Sequence, residues 1–394
     1  MRGLRGSGNL NKKKIRRVSY LKPTEEHKVM KWEENVRKVV PYVAGEQPKR
    51  KDVIKLNTNE NPYPPAPGVV RKIAALEAEQ MRLYPAFPEQ TELAAALAEY
   101  YGIGTDRIFI GDGSDDVLSL AFLTFFQSGR PILFPDITYS FYDVWADLYR
   151  IPYKRQPLDE AFCIRKEDYI EDRNGIKNGG VVFPNPNAPT GVLMPLDEVE
   201  EIVAANRDVV VIVDEAYIDF GGTSCLPLID QYDNLLVVQT FSKSRSMAGM
   251  RIGFCMGNPK LIQYINDVKY SVNSYTMNYA ALQLGVESVT DVTYFKESCE
   301  KIIKTRERAE RELSKLGFTF PKSYANFIFA SHSRVPAKEI FERLKENDIY
   351  VRYWNKERID NYLRITIGTD EQMEALYRVL EHILTERTID RVSL

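Results

Sequence analysis

At 394 residues the chain is too long for one ordinary core, which sets an expectation of at least two domains. Hydrophobic content of 44% and charged content of 27% are those of a soluble globular protein, and a net charge of −2 gives no reason to expect nucleic acid or an anionic membrane as the main partner. Four cysteines without a C-x-x-C spacing and three scattered histidines argue against a disulfide framework or a zinc or histidine-ligated metal site, and fit a reducing cytoplasm.

The first 24 residues carry eight Lys or Arg and no acid, without the apolar region of a secretory signal. Residues 1–29 read as a basic, disordered tail, with Met30 as an alternative start. Residues 31–40 are expected to form a short amphipathic helix within an N-terminal arm over 30–56. The prolines of "NTNENPYPPAP" forbid helix there. Helices are expected at 69–79 and 89–101, then the strand "RIFIG", the turn "GDGSDD" and an apolar helix at 115–127. That helix contains the longest apolar stretch, 117–126, too short to span a bilayer. "PILFP", an extended 151–156, "GGVVFP", "VVVIVDEAY", "LLVVQTFS" and "IGFCMG" read as further strands, with a helix from Ser140 and another over "LDEVEEIVAAN".

Continuous apolar strands separated by helices signal a mainly parallel sheet covered on both faces, so residues 57–285 are expected to form a large α/β domain. Beyond about 260 come charged helices (260–271, 276–288, 291–316). The strands "NFIFAS", "IYVRYW" and "YLRITIG" follow, with helices at 336–347 and 370–386. This α+β texture predicts a smaller domain over 286–394.

Four stretches carry candidate chemistry. "GDGSDD" (111–116) places glycines between a strand and a helix, where free backbone N–H groups and the helix dipole attract an anion. It lacks the spacing of a nucleotide-binding loop. "VVVIVDEAY" ends a buried strand on Asp214, with Tyr217 three residues on, where open parallel sheets bind ligands. "NPNAPTG" (185–191) is a rigid turn presenting Asn187. "TFSKSRSMAGMRIGF" (240–254) sets Lys243 between hydroxyls, with Arg251 eight positions on. A desolvated lysine is a usable amine nucleophile, and an arginine fork suits phosphate.

In this order the four motifs resemble those of the fold-type I pyridoxal-phosphate aminotransferases. "VVPYVAGEQP", "LNTNENPYPP", "RLYPAFPEQTEL", "VDEAYIDF" and "YLRITIGT" are similar to the histidinol-phosphate aminotransferases in particular, from about residue 31 to the C-terminus. The resemblance implies pyridoxal 5′-phosphate as cofactor, with Lys243 as the Schiff-base lysine and the base that moves the α-proton. It implies that Asp214 pairs with the ring nitrogen, that Tyr217 and Asn187 hold the 3′ oxygen, and that Tyr139 stacks on the ring. Ser114, Asp115, Thr240, Ser242 and Arg251 would bind the cofactor phosphate, with Tyr84 reaching it from the neighbouring subunit of a homodimer. Arg364, assisted by Arg352 and Tyr42, would bind the phosphate of histidinol phosphate or the carboxylates of glutamate, with Asn59 near the amine or imidazole end.

The implied reaction is ping-pong exchange of an amino group between L-histidinol phosphate and 2-oxoglutarate. A threonine-phosphate decarboxylase-like lyase, an aromatic-amino-acid aminotransferase and a non-catalytic cofactor-binding regulator are the alternatives. Two departures stand out. The turn reads "PNAPTG" where many relatives have two asparagines, which bears on Asn187. Arg245 adds a cation two residues from Lys243.

Overall fold

The computed structural model describes residues 31–50, 52–170 and 177–392, and among them thirteen strands assort into three sheets. The expected basic tail and Met30 lie outside the described residues. Residues 31–39 belong to a unit separate from 40–394. The helix expected over 31–40 is a single 3₁₀ turn, Lys31–Asn35. Val39 and Val40 are β-branched and Val40 precedes Pro41, a context that disfavours helical backbone.

In chain order the larger unit begins with β1 (Ile54–Lys55), α1 (Pro67–Ala74) and α2 (Glu92–Tyr101). An alternation follows: β2 (Ile108–Gly111), α3 (Ser114–Phe125), β3 (Ile132–Pro135), α4 (Phe141–Tyr149), β4 (Tyr153–Gln156) and α5 (Glu167–Ile170). It continues with β5 (Gly180–Pro184), α6 (Leu196–Ala205), β6 (Val211–Asp214), β7 (Leu235–Thr240) and β8 (Gly253–Gly257). The remainder is α7 (Pro259–Val272), α8 (Tyr279–Thr290), α9 (Val292–Lys315), β9 (Phe318–Thr319), β10 (Phe327–His332) and α10 (Ala337–Glu346). It ends with β11 (Ile349–Tyr350), β12 (Arg352–Tyr353), β13 (Leu363–Thr366) and α11 (Asp370–Val392). No helix among the described residues is long and apolar enough to cross a membrane.

Seven strands form the central sheet in the order β2-β8-β7-β6-β5-β3-β4, with parallel pairing except on both sides of β8. The uninterrupted apolar strands are explained by two cores. Val181, Phe183, Val211, Val213, Leu235 and Val237 point into one. Val182, Ile212, Leu236 and Val238 point into the other. Successive strand residues face opposite sides, so a sheet buried on both faces must be apolar throughout.

A four-stranded antiparallel sheet, β12-β13-β10-β9, has its own core around Ile302, Ile328, Leu363 and Leu376. "IYVRYW", read above as one strand, divides at Val351. β11 pairs in parallel with β1, whereas β12 pairs with β13. The boundary drawn at 286 falls inside α8, which packs on α1 and α2. The chain turns from one layer to the other at Asp291, whose side chain accepts the N–H of Tyr294 and caps α9.

Candidate active site

A cavity of about 650 Å³ opens beyond the carboxyl ends of β3, β5, β6 and β7. Asp136, Pro184, Asp214 and Thr240 reach its wall because each ends or follows one of these strands. Every candidate named from the sequence lines it except Asn187 and Tyr84.

One end is built to hold an anion. Gly113 stands at φ +85°, and a Cβ there would lie 2.3 Å from Arg251 Nη2. A Cβ on Gly253 would collide with the backbone of Gly113 and Ser114 at 2.2 Å. Glycine at both places lets the start of α3, β8 and the Arg251 guanidinium converge. The N–H groups of Ser114 and Asp115 precede the helix's own hydrogen-bond ladder. Arg251 itself adopts φ +53° and contacts Asp115 Oδ2 at 3.3 Å and Ser242 Oγ at 3.5 Å. Ser242 is tied to Thr240 through a hydroxyl pair at 3.0 Å and a backbone N–H at 3.1 Å.

Lys243 extends its amine to the carbonyl of Thr58 at 3.3 Å and lies over the Tyr217 ring at 5.8 Å. Asn59 Nδ2 donates to Tyr217 Oη at 2.9 Å. Asn61 Nδ2 holds the carbonyls of Lys243 and Ser244, each at 3.2 Å. The segment "NTNEN" thus braces the loop that carries the lysine.

Asp214 lies at the floor. Its Oδ1 accepts the N–H of Ala216 at 3.2 Å and its Oδ2 accepts the hydroxyl of Tyr142 at 3.0 Å. Burial pushes its pKa up to about 6, while Tyr142, Ala216 and Lys243 oppose the rise. Tyr139 donates to Asp115 Oδ1 at 2.7 Å, and its hydroxyl is pushed well up, first by burial and then by that carboxylate. A flat aromatic group with a basic nitrogen at Asp214 and an anionic substituent at Arg251 matches this donor set.

The opposite end is cationic. Arg352 and Arg364 occupy directly opposed positions on β12 and β13. Arg364 is flanked by the Phe327 and Trp354 rings at 5.3 Å each, donates Nη2 to the Asn57 carbonyl at 2.9 Å, and has a buried Nε with no partner. Arg352 contacts the carbonyls of Val43 and Ala44 at 3.3 and 3.4 Å. Tyr42 stacks on Phe141 at 4.1 Å. Burial raises its pKa and both arginines counteract the rise.

One expectation needs correcting. Asn187 does not line the cavity, because its amide is spent within the turn: it donates to the Ile137 carbonyl (3.0 Å) and Thr190 Oγ1 (3.2 Å) and accepts from Thr138 Oγ1 (3.0 Å). Ala188 and Pro189 form that part of the wall instead. Tyr84, expected to serve the neighbouring subunit, is 80% exposed, stacks on Tyr275 at 4.5 Å and does not line this cavity within one chain. Arg245 faces neither solvent nor Lys243. It is 6% exposed, donates to the Ser288 carbonyl at 2.7 Å, and sits over Phe295, Tyr100 and Phe241 at 4.1, 5.0 and 5.3 Å.

Sequence reasoning missed Trp354, Tyr142 and Thr366. Trp354 had a signal, the two-residue spacing from Arg352 that puts both on one face of an extended segment. Tyr142 and Thr366 had none, since their partners lie 72 and 307 residues away.

The family described as aminotransferase class I and II matches residues 51–380. The histidinol-phosphate aminotransferase of Lactococcus lactis subsp. cremoris is 50% identical over 358 residues, 91% of this chain and 99% of that protein. Its counterpart from Clostridium beijerinckii is 49% identical over 354 residues, 90% of this chain and 97% of that protein. The solved structure of histidinol-phosphate aminotransferase from Sinorhizobium meliloti in complex with pyridoxal-5′-phosphate superposes with a TM-score of 0.78 at 24% identity, covering 84% of this chain and 91% of that one. At that identity the likeness concerns the fold.

Proposed function

The chain belongs to the aminotransferase class I and II family, and we propose from that premise that it moves the amino group of L-histidinol phosphate to 2-oxoglutarate with pyridoxal 5′-phosphate as cofactor. The products are imidazole-acetol phosphate and L-glutamate, a step of histidine biosynthesis. The observation that carries the substrate reading is the register of Arg352 opposite Arg364. Like charges directly opposed across two strands are destabilising unless a ligand reconciles them. Two guanidiniums suit a phosphate dianion better than a lone carboxylate, and the same pair can take the carboxylates of glutamate.

The residues fit the cofactor. The glycine cradle at 113 leaves room for a phosphate between the start of α3 and Arg251. Lys243 brings an amine and Asp214 a buried acid to the same cavity. Bound there, pyridoxal phosphate supplies an electron sink for the substrate α-carbon and carries the amino group between the half-reactions.

Lys243 Nζ would hold the cofactor and, freed by the incoming substrate amine, would take the α-proton and pass it to the cofactor rather than back to the α-carbon. Asp214, as a carboxylate, would keep a proton on the ring nitrogen, and that positive partner would oppose the upward push that burial gives its pKa in the cofactor-free chain. Tyr217 would donate its hydroxyl to the ring oxygen. Tyr139 would cover the ring and exclude water from it. Arg364, Arg352 and Tyr42 orient the substrate by its anionic end.

The proposal extends to a cytoplasmic homodimer in which Tyr84 reaches the cofactor phosphate of the neighbouring subunit. Tyr84, Met81, Leu83 and Tyr275 are exposed together, an apolar surface of the kind that subunits cover. Four unpaired cysteines agree with a reducing compartment.

A half-reaction tests the chemistry. Histidinol phosphate added to the loaded enzyme without 2-oxoglutarate should bleach the lysine-bound chromophore and release one equivalent of imidazole-acetol phosphate. An unchanged spectrum with histidinol phosphate, or release of carbon dioxide when threonine phosphate is offered instead, would refute the assignment.

A further inference from the structure

Asn59 holds φ +57° although it carries a side chain, and it is 1% exposed. A residue in the left-handed region persists only when its surroundings hold it there. Four hydrogen bonds do so. Its N–H donates to Thr366 Oγ1 at 3.1 Å and its carbonyl accepts Asn326 Nδ2 at 3.0 Å. Its Oδ1 meets Thr366 Oγ1 at 3.0 Å, and its Nδ2 meets Tyr217 Oη at 2.9 Å.

One polarity gives every proton an acceptor. Thr366 is buried and its Oγ1 accepts the Asn59 N–H; among the described hydrogen bonds Asn59 Oδ1 is the one acceptor for its own proton, which a flipped amide would leave without a partner. That fixes the amide with Nδ2 toward Tyr217. An amide nitrogen only donates, so Tyr217 Oη accepts there and keeps its single proton for another acceptor. Tyr217 and Asn59 both line the cavity, and Ala188, packed in the same small cluster as Tyr217, offers no donor of its own.

We propose that Asn59 is a positioning residue rather than a substrate ligand. Together with Thr366 it sets the polarity of the Tyr217 hydroxyl, so that the tyrosine proton is always presented to the cofactor's ring oxygen. This rests on the cofactor reading given above. Thr366 belongs to β13, so the small sheet orients a donor carried by the segment after β6.

The test is a pH titration of the bound chromophore in the loaded protein, together with the cofactor dissociation constant. Asn59→Asp is isosteric and tolerates the left-handed backbone, but its carboxylate draws the Tyr217 proton away from the cavity. Asn59→Gly keeps the backbone and adds no charge. Both should move the titration midpoint in the direction Tyr217→Phe does, Asn59→Asp by about one pH unit, a tenfold change in proton affinity. Neither should move it further in the Tyr217→Phe background. Unchanged midpoints in otherwise normal chromophores, or equal shifts with and without the Tyr217 hydroxyl, would overturn this role alone. A wild-type chain that forms no lysine-linked chromophore would overturn the cofactor reading, and this role with it.

Discussion

Tyr142 donates its hydroxyl to Asp214 Oδ2 at 3.0 Å, and both residues are buried, Asp214 at the cavity floor. The carboxyl titrates near about 6 against an ordinary 3.8, so between those values the folded, cofactor-free protein holds a proton that the unfolded chain releases. This group's contribution to stability is therefore full below about pH 3.8 and lost as pH rises through about 6. A shift of about two units corresponds to roughly 3 kcal/mol. Asp214→Asn should stabilise the cofactor-free protein at about pH 7.5, on the order of 1–2 kcal/mol once the altered hydrogen bonds are allowed for. The gain should vanish near pH 4, and turnover should be lost. Urea denaturation at the two pH values, set beside a rate assay, checks both halves.

Arg364 and Arg352 differ in setting, so their losses should differ. Arg364→Ala should lower kcat/KM for histidinol phosphate by about 10²-fold, the scale of a charge-assisted hydrogen bond of up to 3 kcal/mol. Arg352→Ala should cost about tenfold, since this arginine already shares its donors with two carbonyls. Arg364→Lys should fare little better than alanine, because a point charge cannot reproduce a fork stacked between Phe327 and Trp354. Repeating the assays with unphosphorylated histidinol should erase most of the difference between variants.

Arg245 is a buried cation among aromatic rings. The neighbouring Asp219 is raised by burial and lowered by Ser244 and by this guanidinium. Arg245→Ala should destabilise the fold by about 3 kcal/mol, because it removes the hydrogen bond to Ser288 and the cation that favours the ionised form of buried Asp219, and leaves a void among the rings. The pH midpoint of the bound chromophore should stay where it is. A shifted midpoint with unchanged stability would mean that Arg245 acts on Lys243.

Tyr84→Phe tests the composite site. If its hydroxyl serves the phosphate of the neighbouring subunit, the cofactor dissociation constant should rise about tenfold, as for a hydrogen bond to a charged group. Mixing Lys243→Ala with Tyr84→Ala protein should then restore activity, since one of the two sites in a mixed dimer regains both groups. No recovery on mixing would count against the arrangement.

Much of the fold was legible because it depends on patterns within short stretches. Each continuous apolar run became a strand of the central sheet, since both faces of a parallel sheet are buried. Lys243, Asp214, Tyr217 and Arg251 were legible for a related reason: a strand end or a glycine turn places its own residue. The reading failed where neighbouring residues compete for one role. Nothing local distinguishes Asn187, whose amide is consumed in its turn, from Ala188, which faces the cavity. "IYVRYW" gave no sign that Val351 divides it between two sheets, because that break is made by β1, almost 300 residues earlier.

The sequence by itself determined the α/β architecture and that an amine, an acid and a guanidinium stand at strand ends and turns beside one cavity, because helix and strand periodicity and the chemistry of strand ends are local properties. Only the tertiary structure decided that Arg352 faces Arg364, that Tyr142 donates to Asp214, that Arg245 turns inward, and that Asn59 meets both Tyr217 and Thr366. Those are contacts between residues far apart in the chain, and hydrogen-bond polarity exists only once both partners are in place.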